Sequence, residues 1–294
     1  PEVETIRLGL QKYLVGHRFT DVEILAAKIF EGDPKDIINA KVIGIRRFGK
    51  GLVIDLDNKF SLAIHIKLTG QLIYRDPKTK NVPVSVLKVK TLPNNATRVI
   101  FHLDKDATLF FNDLRKFAWI RIVKTEQVGE MPFFKNMGPE PSVAKAMDGQ
   151  VLTFDQFEKI IKNSKTVIKP LIMDQSRIGG IGNIYANDAL FLAEIDPRRR
   201  ANTLSSREIK NLYKAILTVM EKSMKYGGAS ELNFVNVMGQ EGEYQMHNLV
   251  YGKKGKKCSK CGRRPGRASS PEGAIIEKIF LGGRGTFFCP ACQR

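Results

Sequence analysis

Apolar residues near the start recur at Val3, Ile6, Leu10 and Leu14, the spacing of one face of a helix. From about residue 20 to about 125 the period shortens to two. Leu52–Leu56, Leu62–Ile66, Arg98–Leu103, Thr108–Asn112 and Ala118–Val123 alternate or are rich in Val, Ile and Phe, with Gly, Asp, Asn and Lys between them. This predicts an antiparallel two-sheet sandwich or flattened barrel with the first helix beside it. Residues 136–150, with Gly138-Pro139-Glu140-Pro141, read as a linker. The helical period then returns. Thr153 with Gln156 forms a capping-box signature opening Phe154–Lys162, and Ser205 with Glu208 opens a helix to about Lys225. Ile209, Leu212, Ile216 and Met220 form one face of the latter. Between these helices, Val167–Gln175 and Ile184–Ala193 flank a glycine-rich turn. The predicted class is α+β: a sandwich over 1–135, the linker, helices over 151–250 and a small metal-organised finger over 251–294.

At 294 residues the chain is long enough for about two domains and a substantial core. Its 43% hydrophobic and 27% charged residues exclude a disordered chain, a collagen and a coiled-coil rod. No apolar run approaches the roughly 18–20 residues of a membrane span, and no signal-peptide pattern opens the chain, so a soluble, cytoplasmic protein is expected. The formal net charge of +18 changes the picture. Such an excess repels itself unless a polyanion is nearby, which makes nucleic acid the expected partner; a solubility surface and ribosome association are the alternatives.

Cys258, Cys261, Cys289 and Cys292 are the only cysteines, all within the last 37 residues. Two C-x2-C pairs 27 residues apart read as one tetrahedral Zn(Cys)4 site, against the alternatives of two disulfides or a redox pair. The finger is also basic: Lys253, Lys254, Lys256, Lys257, Lys260, Arg263, Arg264 and Arg267 lie in a stretch without an acid. Gly282-Gly283-Arg284-Gly285 places an arginine between glycines, where its fork can approach a phosphate.

Gly179-Gly180-Ile181-Gly182-Asn183 precedes a helix and can hold phosphate at its turn, or serve as a tight packing turn. It does not match the dinucleotide-binding glycine pattern. Lys50 is either an edge-strand charge or a functional amine. Asp113-Leu114-Arg115-Lys116-Phe117 joins two strands; Arg and Phe together could fill the gap left by an extruded base, or the loop is a hairpin with one core Phe. His17, His65, His102 and His247 show no ligand spacing, so a serine or thiol nucleophile and a catalytic metal are disfavoured.

Together these pieces resemble the bacterial formamidopyrimidine-DNA glycosylase family. The resemblance runs nearly end to end: Pro1-Glu2-Val3-Glu4-Thr5, Arg46-Arg47-Phe48-Gly49-Lys50, His65-Ile66-Lys67-Leu68-Thr69-Gly70, the 113–117 loop, Gly138-Pro139-Glu140-Pro141, Ile168-Lys169-Pro170, Gly182-Asn183-Ile184-Tyr185-Ala186, Tyr251-Gly252 and Gly283-Arg284-Gly285-Thr286-Phe287-Phe288-Cys289-Pro290. The Arg/Phe loop makes it less similar to the endonuclease VIII branch.

The resemblance implies a β-sandwich, a helix–two-turn–helix domain and a zinc finger, with DNA in the cleft between the halves. It implies a monomer that acts on duplex DNA carrying oxidised bases or abasic sites. The implied activity is excision of 8-oxoguanine and formamidopyrimidines, then β,δ-elimination, starting from an N-terminal proline Schiff base. By the same resemblance, Pro1 is the nucleophile and Glu2 the acid/base, both if Pro1 is the mature terminus. Lys50 contacts phosphate and assists proton transfer. Lys165, Asn183 and Arg284 bind DNA, with Arg284 also implicated in elimination. Leu68, Arg115 and Phe117 fill the void left by the flipped nucleotide. The four cysteines hold one structural zinc.

Several positions depart from the family pattern. The chain begins at the second Pro-Glu of the usual Pro-Glu-Leu-Pro-Glu-Val-Glu-Thr; three residues along a helix amount to ~4.5 Å and about 60° of rotation. The third wedge residue, usually Met, is Leu68. Ala96 stands for a usual phosphate-contacting His and Leu232 for a usual basic residue after Gly227-Gly228. These changes bear on lesion preference more than on DNA binding. The finger carries an insertion around Arg267–Lys278. A non-catalytic damaged-DNA-binding protein of the same fold is the competing expectation.

Overall fold

The computed structural model describes residues 1–141, 151–261 and 274–294. Two compact units are formed by 1–136 with 223–245, and by 137–222 with 246–294.

In the first unit, helix α1 (Glu2–Tyr13) starts directly after Pro1 and leads into eight longer strands and one short one. Strands β1 (Phe19–Ile24), β6 (Gly70–Arg75), β7 (Thr97–Leu103) and β8 (Thr108–Asp113) form a sheet in the order β1-β7-β8-β6. Strands β2 (Phe30–Glu31), β3 (Val42–Phe48), β4 (Gly51–Leu56), β5 (Phe60–His65) and β9 (Trp119–Lys124) form the other, in the order β2-β9-β5-β4-β3. Every pairing is antiparallel except the two-residue β2 against β9.

Alternation along the strands explains the layering. Leu52, Ile54 and Leu56 of β4 join Leu72 of β6 and Phe101 of β7 in the core between the sheets. Val53 points the other way and packs with Phe134 of the short helix α2 (Pro132–Lys135). Val3, Ile6, Leu10 and Leu14 of α1 enter the main core together with Val237. The segment 223–245 returns to this unit by pairing its backbone with the sheet: the Tyr74 N–H donates to Val237 O at 2.8 Å. A division in chain order does not express this return.

The second unit holds α3 (Phe154–Lys162), α4 (Ile168–Ile172), α5 (Asn183–Leu192) and most of α6 (Ser206–Lys225). Both capping boxes form, Thr153 with Gln156 and Ser205 with Glu208. Helix α4 is shorter than the 167–175 pattern, because the N–H groups of Met173 and Asp174 turn to the carbonyls of Pro170 and Leu171, tight three-residue bonds that end it after Ile172. Of the stretch read as a linker, 142–150 lie outside the described residues; Gly138, Glu140 and Pro141 are buried, and the Gly138 N–H donates to Gln175 O at 2.8 Å. The hairpin of β10 (Glu277–Leu281) and β11 (Arg284–Phe288) closes the unit beside the cysteines. Arg263, Arg264, Arg267 and most of the expected finger insertion lie outside the described residues. Among the described residues no helix is long and apolar enough to cross a membrane.

Candidate nucleic-acid interface

Two loops of the first unit are fixed by one carboxylate. Asp113 ends β8 and is fully buried (0% exposed). Its Oδ1 accepts from the Thr69 hydroxyl and from the Arg115 N–H, and its Oδ2 accepts from the Ala118 N–H at 2.8 Å. The loop between β5 and β6 is thereby tied to the loop between β8 and β9. Each loop bends through a lysine in the left-handed region, Lys67 at φ 51° and Lys116 at φ 56°, a strained geometry that needs such anchoring. At Gly70 a Cβ would stand 2.4 Å from Ile66 O, so only glycine closes this turn.

The anchored loops hold large apolar groups in solvent. Leu68 is 54% exposed, Leu114 58% and Phe117 57%. The Arg115 guanidinium lies 4.8 Å from the centre of the Phe117 ring. Leu68, Arg115 and Phe117, named from sequence, thus lie on linked loops. Sequence reasoning assigned no role to Leu114 or to the Asp113–Thr69 anchor, although all three lie inside quoted motifs; a short acid at a strand end is the signal for the latter.

His65 lies beneath the first of these loops. Its Nδ1 accepts the Lys67 N–H at 2.9 Å, and its ring meets Phe133 edge-on at 4.7 Å. Burial, then the charges of Lys67 and Lys50, push its pKa down to about 4, so the imidazole is neutral at pH 7. Lys50 occupies the β3–β4 turn and is partly buried.

That turn is tied to α1. The Arg47 Nε donates to Glu4 Oε2 at 2.6 Å and its Nη1 to Gly49 O at 2.8 Å, while Arg7 holds Glu4 Oε1. Burial alone would raise the Glu4 carboxyl, but the two guanidinium groups outweigh it and hold it below the ordinary value. Pro1 caps α1 with its ring 2% exposed, its nitrogen 3.9 Å from Glu2 Oε2. The other Glu2 oxygen accepts the Ala229 N–H at 3.0 Å.

In the second unit the organising group is Lys169, 1% exposed. Its Nζ donates to Asn183 Oδ1 at 2.7 Å, Thr286 Oγ1 at 2.8 Å and Gly285 O at 3.1 Å. Asn183 opens α5 and donates to Gly285 O at 3.2 Å, so the glycine-rich turn and the Arg284 hairpin share one buried cation. Burial and then the charge of Arg284 push Lys169 down to about 8. The sequence held one signal for Lys169, a lysine within the apolar run from Val167 to Ile172. Asn187 on the same helix accepts the Phe287 N–H at 2.7 Å. Arg284 is exposed at the hairpin tip beyond Gly282 and Gly283, both at positive φ. Lys165 is exposed between α3 and α4.

Not every finger lysine is available to a ligand. Lys260 pairs with Glu194 at 2.8 Å, and Lys253 donates to Asn248 O. The four cysteine sulfurs lie within 4.8 Å of one another, with Cys261 Sγ 3.0 Å from Cys292 Sγ and 3.3 Å from Cys289 Sγ, and Cys258 Sγ 3.9 Å from Cys292 Sγ. Tetrahedral thiolate coordination at about 2.3 Å needs sulfurs roughly 3.8 Å apart, so the cluster fits one four-coordinate metal ion. Burial and the neighbouring thiols push Cys289 up to about 12, which a bound cation reverses.

The order of these features along the chain is matched by known proteins. A model described as the formamidopyrimidine-DNA glycosylase N-terminal domain matches residues 1–120, and one described as the H2TH domain of the same enzyme matches 137–234. The chain belongs to the formamidopyrimidine-DNA glycosylase family. It is 34% identical to the formamidopyrimidine-DNA glycosylase of Pelotomaculum thermopropionicum, over all of this chain and 98% of that one. Among solved structures it is similar to a Lactococcus lactis Fpg variant in complex with a Fapy-dG-containing DNA, with TM-score 0.83 and 30% identity. It is also similar to L. lactis Fpg in complex with an abasic-site DNA, with TM-score 0.82 and 30% identity. Each covers all of this chain and 98% of the other. The α+β architecture, the helical H2TH segment and the cysteine cluster agree with this membership.

Proposed function

We propose that this protein is a bifunctional DNA glycosylase and abasic-site lyase of base excision repair. It acts as a cytoplasmic monomer on duplex DNA carrying 8-oxoguanine or formamidopyrimidines. The observation that carries the reading is the anchored set of exposed tips, Leu68, Leu114, Arg115 and Phe117, on a chain of this family. Chemistry on a base requires the base to leave the stack, and a preorganised apolar and cationic tip can occupy the vacancy.

The nucleophile is the secondary amine of an N-terminal proline, Pro1 where that residue is the mature terminus. A terminal amine with a reference pKa of about 7.7–8.0 carries a useful unprotonated fraction near neutrality. Its lone pair forms a bond to the sugar C1′ while the C1′–base bond breaks, and Glu2 takes up the proton that the alkylated nitrogen sheds and passes it to the departing base. The nitrogen lone pair then forms the C1′=N bond as the C1′–O4′ bond breaks, O4′ takes a proton from water to become a hydroxyl, and the resulting iminium acidifies the C2′ proton. Loss of that proton expels the 3′ phosphate, and a second elimination expels the 5′ phosphate. Lys50 on the turn held by Arg47 contacts phosphate and assists proton transfer. Lys165, Asn183 and Arg284 bind the backbone, and Arg284 stabilises the departing phosphate.

Cys258, Cys261, Cys289 and Cys292 hold one zinc ion. A four-thiolate set leaves no open coordination position, so the metal shapes the finger and does no chemistry.

Borohydride trapping tests the reading. A duplex with 8-oxoguanine should yield a covalent protein–DNA adduct mapping to the terminal proline. Lesion-selective binding with no adduct on lesion or abasic DNA, from folded metal-loaded protein of verified terminus, would instead identify a damaged-DNA-binding protein.

A further inference from the structure

The connection between β6 and β7, residues 76–96, is long, and it crosses to the segment that follows α6. Lys88 is the point of attachment. Its side chain is largely buried, and its Nζ donates to Ser230 O and, at 2.5 Å, to Leu232 O. Glu241 Oε2 stands 3.4 Å from the same ammonium, and the Ser85 hydroxyl donates to the other oxygen of Glu241. The Ser85 N–H donates to Gly239 O, and the Gln71 amide donates to Asn233 O at 2.7 Å and to Lys88 O at 3.3 Å. The turn from Ala229 to Phe234 is therefore gripped from one side by the 76–96 connection.

The other side of that turn meets the candidate acid/base. The Ala229 N–H donates to Glu2 Oε1 at 3.0 Å. Gly228, at φ 87°, lies so near that a Cβ there would stand 3.2 Å from Glu2 Cγ. Two carbonyls of one short turn aim at the same ammonium, and without a cation their dipoles repel each other. A neutral side chain at position 88 removes that focus and leaves both carbonyls without their buried donor.

We propose that Lys88 is a positioning residue for base release: by clamping the carbonyls of Ser230 and Leu232 it fixes the 229–234 turn and, through the Ala229 N–H, the Glu2 carboxylate. This rests on the glycosylase reading given above. Lys88 touches no reacting atom in this scheme. Base departure needs the Glu2 carboxyl in place, whereas attack by an amine on a site that has already lost its base does not need a proton delivered to a base. Loss of the clamp should therefore separate the two substrates.

The test compares the full-length zinc-loaded protein with Lys88→Met and Lys88→Arg. Single-turnover base release is measured on a duplex carrying 8-oxoguanine, and borohydride trapping on a preformed abasic site. Lys88→Met should slow base release at least ten-fold, leave abasic trapping within about two-fold, and regain most base release in Lys88→Arg. Amide exchange should show residues 229–234 losing protection in Lys88→Met while β6 and β8 keep theirs. Equal losses on both substrates, or unchanged exchange of the turn, would overturn the assignment, as would Lys88→Met matching an active wild type. A wild type that neither releases base nor traps DNA would overturn the glycosylase reading itself, and this assignment with it.

Discussion

The Nζ of Lys169 lies 2.7 Å from Oδ1 of Asn183, and the same ammonium reaches Thr286 Oγ1 at 2.8 Å. One buried cation thus fixes the first residue of α5 and the root of the Arg284 hairpin. Lys169→Met leaves these acceptors without their donor, and stability should fall by about 2–3 kcal/mol. DNA affinity should fall at least ten-fold, because Asn183 and Arg284 lose their common support. Equilibrium unfolding and fluorescence anisotropy check the two effects.

The pH dependence of that site has opposite signs for binding and for folding. As pH rises through about 8 the Lys169 amine becomes neutral and keeps two donors for three acceptors, so DNA binding should weaken. In the unfolded chain the lysine stays protonated to about 10.4, so between these values the unfolded state holds more protons and stability rises with pH. The burial cost is fully present below pH 8 and relieved above about 10.4. Titrations of affinity and urea midpoint should both lose this inflection in Lys169→Met.

His65 responds at acid pH. Its pKa is pushed down to about 4 by burial and then by Lys67 and Lys50, so the unfolded state, titrating near 6.5, takes up the proton first as pH falls. Stability should drop between pH 6.5 and 4, by about 3 kcal/mol at the lower end, because the folded chain keeps His65 neutral and accepting the Lys67 N–H while the unfolded chain takes up the proton. Urea midpoints at pH 7 and 4.5 should converge in His65→Phe.

Phe117 and Asp113 separate contact from support. Phe117 is exposed, so Phe117→Ala should change folding stability by no more than about 0.5 kcal/mol. Its affinity for lesion duplex should fall about ten-fold, the scale of one lost aromatic–base stack. Asp113→Ala removes the buried acceptor of the Thr69 hydroxyl and the Ala118 N–H, and should cost about 2–4 kcal/mol of stability as well as binding. Denaturation curves beside anisotropy distinguish the two.

Metal removal should act on the finger alone. One zinc per chain is expected by elemental analysis, and Cys258→Ser should abolish it, weaken DNA binding and leave the sandwich strands protected from amide exchange. For the intact protein, log affinity should fall linearly with log salt, with a slope near −0.9 for each phosphate neutralised.

Local sequence pattern by itself determines much of this molecule. The α1 face of Val3, Ile6, Leu10 and Leu14 enters the core as its spacing requires, α3 runs Phe154–Lys162 between the signals read for it, and the doubled C-x2-C pairs meet in one cluster. Such features are legible because helix period, capping and knuckle spacing involve residues within a few positions of one another. Strands β1, β3 and β6 were less legible: Arg46 and Arg47 sit in β3, and pairing with neighbours outweighs their polarity.

Tertiary structure decided the rest. Nothing in the sequence indicates that 223–245 folds with the first unit, that Lys88 reaches Ser230 O, or that Lys260 is paired with Glu194 while Arg284 remains exposed. These are hydrogen bonds and ion pairs across long sequence separations, and a lysine carries the same letter whether it meets a carbonyl, a carboxylate or solvent. Periodicity records which face of an element is buried; only the fold determines what each charged group finds when it gets there.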